Sequence, residues 1–196
     1  MATGCFAAET TRVPKKYVHQ PVGDFVGAWK DMEKAVKQGK VRALGISNFD
    51  ANDEVWNEII EKSTIKPAVL QIECHPYAQR LEMRKKAAQY GIQVECWFPL
   101  GGAMSNGALF KDPVIKKIAE AHGKTPAQVI LRWHIQEGFS VIPGASNPDY
   151  IKENIQIFDF SLTDEEMQQM RSLNKEKRFF NATLEDVEKM VWGARL

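Results

Sequence analysis

The sequence predicts an α/β protein built on a parallel sheet. Short apolar runs alternate with longer amphipathic ones from Lys16 onward, the order expected when each strand is followed by a covering helix. The apolar runs are short and continuous rather than alternating, which suits parallel strands buried on both faces. The later helices also carry explicit start signals.

Taken in order, the candidate strands are Lys16–His19, Val41–Gly45, Ala68–Glu73, Gln93–Trp97 and Ser140–Ile142. Between them, Phe25–Gln38 sets Phe25, Trp29, Met32 and Val36 at helical spacing and stops at Gly39. Glu54–Lys62 carries Val55, Ile59 and Ile60, and Leu81–Gln89 ends just before Gly91. Asp112 and Thr125 read as N-caps, each followed by proline at the first helical position, and Asn147-Pro148 repeats the device. Thr163 with Glu166 forms a capping box. A last helix is expected over Thr183–Val191. Five strands fit either a small open sheet or part of a barrel that needs eight. No Gly-x-Gly-x-x-Gly follows any of them, so the usual dinucleotide fingerprint of an open sheet is absent. The pattern alone leaves both architectures standing.

Composition narrows the function classes. With 26 basic against 25 acidic residues the formal charge is +1, which gives no reason to expect nucleic acid or an anionic membrane as a partner. No apolar stretch approaches the ~20 residues of a membrane span, and Met1–Lys16 has no apolar core of a secretory signal. Cys5, Cys74 and Cys96 form no paired framework and show no metal-ligand spacing, so no metal is expected. Cys74 and Cys96 read as buried, reduced thiols, in keeping with a cytoplasmic location.

Six segments share a further pattern. They are Tyr17-Val18-His19-Gln20-Pro21, Ala28-Trp29, Gly39 through Phe49, Gln71 through Tyr77, Trp97-Phe98-Pro99-Leu100-Gly101, and Val141 through Asn154. In this order and spacing they resemble the aldo-keto reductase family over about residues 17–180. The resemblance implies an incomplete TIM-type (β/α)8 barrel, with the five strands as its fourth to eighth and helices around them. Residues 16–196, including the C-terminal tail, would form this partial barrel, and 1–15 are left unassigned. The implied activity is NAD(P)H-dependent reduction of aldehydes or ketones to alcohols by direct hydride transfer.

The family's first three strands would carry its catalytic Asp, Tyr and Lys. Residues 1–16 hold no Asp and no Tyr, and Lys15 and Lys16 do not sit in the family's lysine motif. The chain is therefore expected to be truncated, with one catalytic position of four. The alternative reading is a non-catalytic nicotinamide-nucleotide-binding or regulatory module.

The resemblance assigns roles by position. His19, at a strand's C-terminal end, would orient the substrate carbonyl. Ser47, Asn48 and Gln71 would hold the nicotinamide carboxamide, and Trp97 would stack on the ring. Pro99, Leu100 and Gly101 would pass the pyrophosphate, with Phe98 standing where the family usually has a small polar residue. Glu153 and Asn154 would lie on the adenine side, and Ser146 would be a further cofactor contact. Gly144, Ala145 and Tyr150 occupy the places of the lysine, serine and arginine that hold the 2′-phosphate, so the charge-assisted contacts for NADP are expected to be lost and NAD is left open as cofactor. The resemblance gives His75 no chemistry and a structural place, while His122 and His134 lie in helical patterns and read as structural or solvated. Leu44, Leu70 and Val94 are expected on the inner face of the sheet. Lys16–His19 and Ser140–Ile142 would be sheet edges open to self-association.

Overall fold

The computed structural model describes residues 24–50 and 53–181. Within them the chain alternates strand and helix as the pattern requires. Four strands, β1 (Gly45–Ser47), β2 (Val69–Glu73), β3 (Gln93–Trp97) and β4 (Ser140–Val141), form one parallel sheet in sequential order. Parallel strands in sequential order, joined through helices, are the arrangement of a barrel wall. The helices are α1 (Phe25–Lys37), α2 (Asp53–Lys62), α3 (Leu81–Gln89), α4 (Ala108–Lys111), α5 (Pro113–His122), α6 (Pro126–Gln136), α7 (Pro148–Ile155) and α8 (Asp164–Ser172). The candidate strand Lys16–His19, Cys5 and the candidate helix Thr183–Val191 lie outside the described residues.

The start signals act as the sequence suggests. The Asp112 carboxylate accepts the N–H groups of Val114 and Ile115, and Pro113 begins α5. Thr125 with Gln128, and Thr163 with Glu166, form reciprocal capping boxes, and Asn147 caps α7. Each satisfies backbone donors that the first helical turn leaves without partners.

Three expectations shift. The second candidate strand moves from Val41–Gly45 to Gly45–Ser47, because pairing begins only where the Leu44 carbonyl accepts the Ala68 N–H. Val41 is exposed on the approach. In α1, Met32 faces solvent while Glu33 is buried. The Glu33 carboxylate accepts the N–H groups of Thr64 (2.6 Å) and Ile65 (2.9 Å), and Trp29 Nε1 donates to the Ile65 carbonyl. These bonds close the turn between α2 and β2 and rotate the helix toward it.

The third shift concerns the faces of the sheet. Leu44, Ile46, Leu70, Ile72, Val94 and Cys96 are buried in one core with Ile59, Met83, Ala87, Ile115, Val129 and Met170 from the helices. Leu44, Leu70 and Val94 therefore lie on the helix-covered side, not the inner one. Side chains alternate along a strand, so the other face carries Ser47, Gln71, Glu95 and Ser140, which are neighbours in register across all four strands. That face is polar and partly open.

Candidate functional site

The C-terminal ends of parallel barrel strands gather the loops that hold ligands. Here β1 ends at Ser47, and Asn48 follows with φ of 61°. Asn tolerates this left-handed conformation better than most residues. Its backbone N–H donates to the Gln71 carbonyl (2.9 Å), and its side chain meets Trp97 at the end of β3, where indole Nε1 donates to Asn48 Oδ1 (3.0 Å). Indole nitrogen only donates, so the atom facing it must be the amide oxygen.

Gln71 is fixed by the same logic. Its Nε2 donates to the Glu95 carboxylate (2.7 Å), which can only accept when ionised. Glu95 accepts from Ser140 Oγ as well (2.8 Å). Among the described residues this leaves the Asn48 Nδ2 group and the Gln71 Oε1 acceptor without a hydrogen-bond partner, on neighbouring strands. Ser47 is exposed beside them. Glu95 was not among the sequence candidates. A signal existed: an acidic residue in an apolar strand at the same register as Gln71.

Trp97 stands in an aromatic group. Phe98 lies 4.8 Å away between centroids, and Phe180 meets Trp97 edge-on at 5.5 Å. Pro99, Leu100 and Gly101 form the turn that follows, closed by the Gly101 N–H to the Phe98 carbonyl. Pro99 and Gly101 are buried and Leu100 packs against the core. Gly101 has φ of +81°, and a Cβ there would meet Ser105 at 2.8 Å and Phe179 at 3.1 Å, so only glycine fits. The Gly101–Lys111 loop is not featureless: it holds a 3₁₀ turn, Ala103–Ser105, and α4.

Phe179 and Phe180 are held over this end of the sheet by Glu73, the last residue of β2. Its carboxylate accepts from Arg178 Nε (2.8 Å), the N–H groups of Phe179 (2.6 Å) and Phe180 (3.1 Å), and His75 Nε2 (3.3 Å). Burial pushes the Glu73 pKa up, but these donors outweigh it and hold the value at about 2. His75 is fully buried and stacks on Phe179 at 4.5 Å.

Ser146, Glu153 and Asn154 are placed on the loop after β4 and on α7. They are not hydrogen-bonded to the Asn48–Gln71–Trp97 group. Ser146 is exposed, and the Glu153 carboxylate is engaged by the Thr125 hydroxyl at the start of α6. Gly144 has open space at its Cβ position, and Tyr150 is 59% exposed. His19 lies outside the described residues.

A tyrosine, a lysine and an aspartate do meet after β2, but in the wrong sense for acid catalysis. Tyr77 OH donates to Asp112 (2.7 Å), and Lys175 Nζ sits over the Tyr77 ring at 3.6 Å rather than at its oxygen. Burial and the Asp112 carboxylate raise the Tyr77 pKa to about 12. A phenol in that state is a poor proton donor near neutral pH.

Residues 9–175 match the model of the Aldo/keto reductase family. An aldo-keto reductase of Mycolicibacterium smegmatis is 44% identical over 164 residues, covering 82% of this chain and 58% of that protein. The 9,11-endoperoxide prostaglandin H2 reductase of Trypanosoma cruzi is 42% identical over 154 residues, covering 79% and 53%. The crystal structure of a Gox0644 point mutant in complex with NADPH superposes with a TM-score of 0.74 at 36% identity, covering 82% of this chain and 57% of that one. The chain thus spans about half the length of the curated relatives it matches.

Proposed function

The chain belongs to the aldo/keto reductase family, and from that premise we propose that it forms the nicotinamide-holding part of a carbonyl reductase. The observation that carries this reading is the pairing pattern at the strand ends. Trp97 takes the Asn48 oxygen and Glu95 takes the Gln71 nitrogen. Among the described residues the Asn48 Nδ2 donors and the Gln71 Oε1 acceptor remain, the complement of a primary carboxamide. The residues present therefore fit a nicotinamide. When bound, that group supplies the hydride for an aldehyde or ketone carbon. The protein's part is to hold the carboxamide through Asn48 and Gln71 and to offer the Trp97 face to the ring, with Ser47 beside it. Backbone of the Phe98–Gly101 turn lies next along the strand ends, and Ser146 and Asn154 extend the surface toward α7. His19 would orient the carbonyl.

Titration with NADH or NADPH is expected to quench tryptophan emission saturably. Trp97→Ala should remove most of that signal, and Asn48→Ala should weaken binding roughly tenfold through one lost amide contact and the freed indole. A folded sample showing no saturable quench at millimolar cofactor would end this proposal.

The same reading covers cofactor choice. Gly144, Ala145 and Tyr150 offer no cation for a 2′-phosphate, and Asp149 in the first turn of α7 adds a like charge. NADPH and NADH are expected to bind within a few-fold of each other. Open space at Gly144 and the exposure of Tyr150 leave room for replacements. Gly144→Lys with Tyr150→Arg should favour NADPH more than tenfold, from contacts of roughly 1.5–3 kcal/mol each. A strong NADPH preference in the unaltered chain would refute the assignment of these three positions.

Among the described residues no helix is long and apolar enough to cross a membrane, and Cys74 and Cys96 are free thiols. Both suit the reducing cytoplasm, which we propose as the compartment. A cofactor-binding module without turnover is the second reading, favoured by the state of Tyr77.

A further inference from the structure

Cys74, Cys96 and His134 come from three separate elements: the residue after β2, strand β3 and helix α6. Their separations of 22 and 38 residues match no ligand motif, which is why spacing gave no sign of them. The fold brings them together. Ile72 pairs with Cys96, so Cys74, two residues beyond Ile72, points to the same helix-covered face. All three side chains are fully buried, and their two sulfur atoms and one ring nitrogen lie within 4.8 Å of one another.

The imidazole is already oriented for coordination. His134 Nδ1 lies 2.8 Å from the Ile130 carbonyl, one turn back in α6. A carbonyl only accepts, and Nε2 lies 3.2 Å from a second one, that of Cys74. The neutral ring has one N–H, so it donates to one of the two carbonyls and its other nitrogen keeps a lone pair. One ring nitrogen also lies within 4.8 Å of both thiol sulfurs. A ring N–H tied to a backbone carbonyl, with the other nitrogen aimed at further donors, is the usual outer support of a metal-bound histidine.

We propose that Cys74, Cys96 and His134 form a binding site for one thiophilic divalent cation of the Zn(II) class. Two thiolates and an imidazole are the ligands such ions prefer. Each thiol loses its proton as its sulfur binds, so one cation enters and two protons leave. The product is electrically neutral, and no unpaired charge remains in the core. Ligand atoms about 2.0–2.3 Å from an ion stand about 3.5–3.8 Å apart, so the three draw in by at most about 1 Å. The ion would tie β2 and β3 to α6, on the side of the sheet away from the cofactor face. The proposal does not depend on carbonyl reduction.

The test uses the full chain with Cys5→Ser, which leaves only these two thiols, and Cd(II) as the probe. One equivalent should produce a sulfur-to-cadmium charge-transfer band of two-thiolate intensity, release two protons and raise the melting temperature. Zn(II) should bleach the band by competition. Cys74→Ala and Cys96→Ala should each weaken binding more than tenfold, as should His134→Gln. Should a variant fail to fold, the parent still decides: one equivalent of Cd(II) should protect both cysteines from iodoacetamide. The site is disproved by a band that survives either cysteine replacement, by a stoichiometry below one half, or by thiols alkylated equally fast with and without Cd(II).

Discussion

The purified 196-residue chain is expected to reduce no aldehyde or ketone above the uncatalysed background, with either NADH or NADPH. A positioned general acid contributes typically ~10²–10⁴-fold, and the described residues offer none at the cofactor face. Tyr77 donates to Asp112, its pKa stands at about 12, and its lysine neighbour lies over the ring. Among the described residues β1 and β4 are the outer strands of the sheet, and their polar inner face is partly open. Unpaired strand edges promote association, so the same sample is expected to run larger than a monomer on size exclusion. Joining it to the N-terminal part of the Mycolicibacterium smegmatis relative should give a monodisperse protein with turnover. Cofactor binding by the chain alone, without turnover, would fit both readings of its function, and the fusion separates them: a fusion that folds, binds and stays inactive favours the module. A monomeric chain with turnover abolished by His19→Ala would overturn the prediction and require a proton donor other than Tyr77.

How far the sequence disclosed this arrangement differs between elements. Asp112, Thr125, Asn147 and Thr163 begin their helices as read, because a cap is a local interaction between a side chain and donors two or three residues ahead. Asn48, Gln71 and Trp97 were nameable by resemblance, but the bonds that fix their amides join residues 24 and 49 apart and depend on strand register. Glu95 stood out only as an acidic residue in an apolar strand, and its partners Gln71 and Ser140 follow from the strand register. Met32 is exposed and Glu33 buried in its stead, because periodicity sees apolar faces, not a carboxylate recruited by two backbone donors across a turn. Leu44, Leu70 and Val94 were assigned to the inner face because a continuous apolar run does not say which side the helices cover. The Ser47–Gln71–Glu95–Ser140 row, the true inner face, becomes evident only when the strands are aligned. Cys74, Cys96 and His134 share this character, since nothing in their spacing places them in contact.

Glu73 gives the sharpest expected effect on stability. It is fully buried and is the anchor for Arg178, Phe179 and Phe180. Removing one member of a buried charged pair costs about 3–5 kcal/mol, because the partner loses its compensation. Arg178 is partly exposed, which brings Glu73→Gln below that range, to about 2–3 kcal/mol, the scale of hydrogen bonds to a charged group. For a chain of this length that is a fall of roughly 5–10 °C in melting temperature. The pH dependence follows from the sign of the shift. The folded-state pKa of about 2 lies below the ordinary 4.5, so the stability that ionised Glu73 contributes is complete above about pH 4.5. It is lost as pH falls from there toward 2, by up to about 3 kcal/mol. In Glu73→Gln that part of the acid loss should disappear, leaving a flatter stability profile between pH 4.5 and 2. The clamp also sets the surroundings of Trp97, since Phe180 lies edge-on to it at 5.5 Å. Releasing residues 178–180 should therefore shift the Trp97 emission to longer wavelength at neutral pH, a change that Trp97→Ala removes. If Glu73→Gln melts within a degree of the parent and keeps the same acid profile, the carboxylate is not holding the C-terminal segment, and the aromatic contacts of Phe179 with His75 and Tyr77 must hold it unaided.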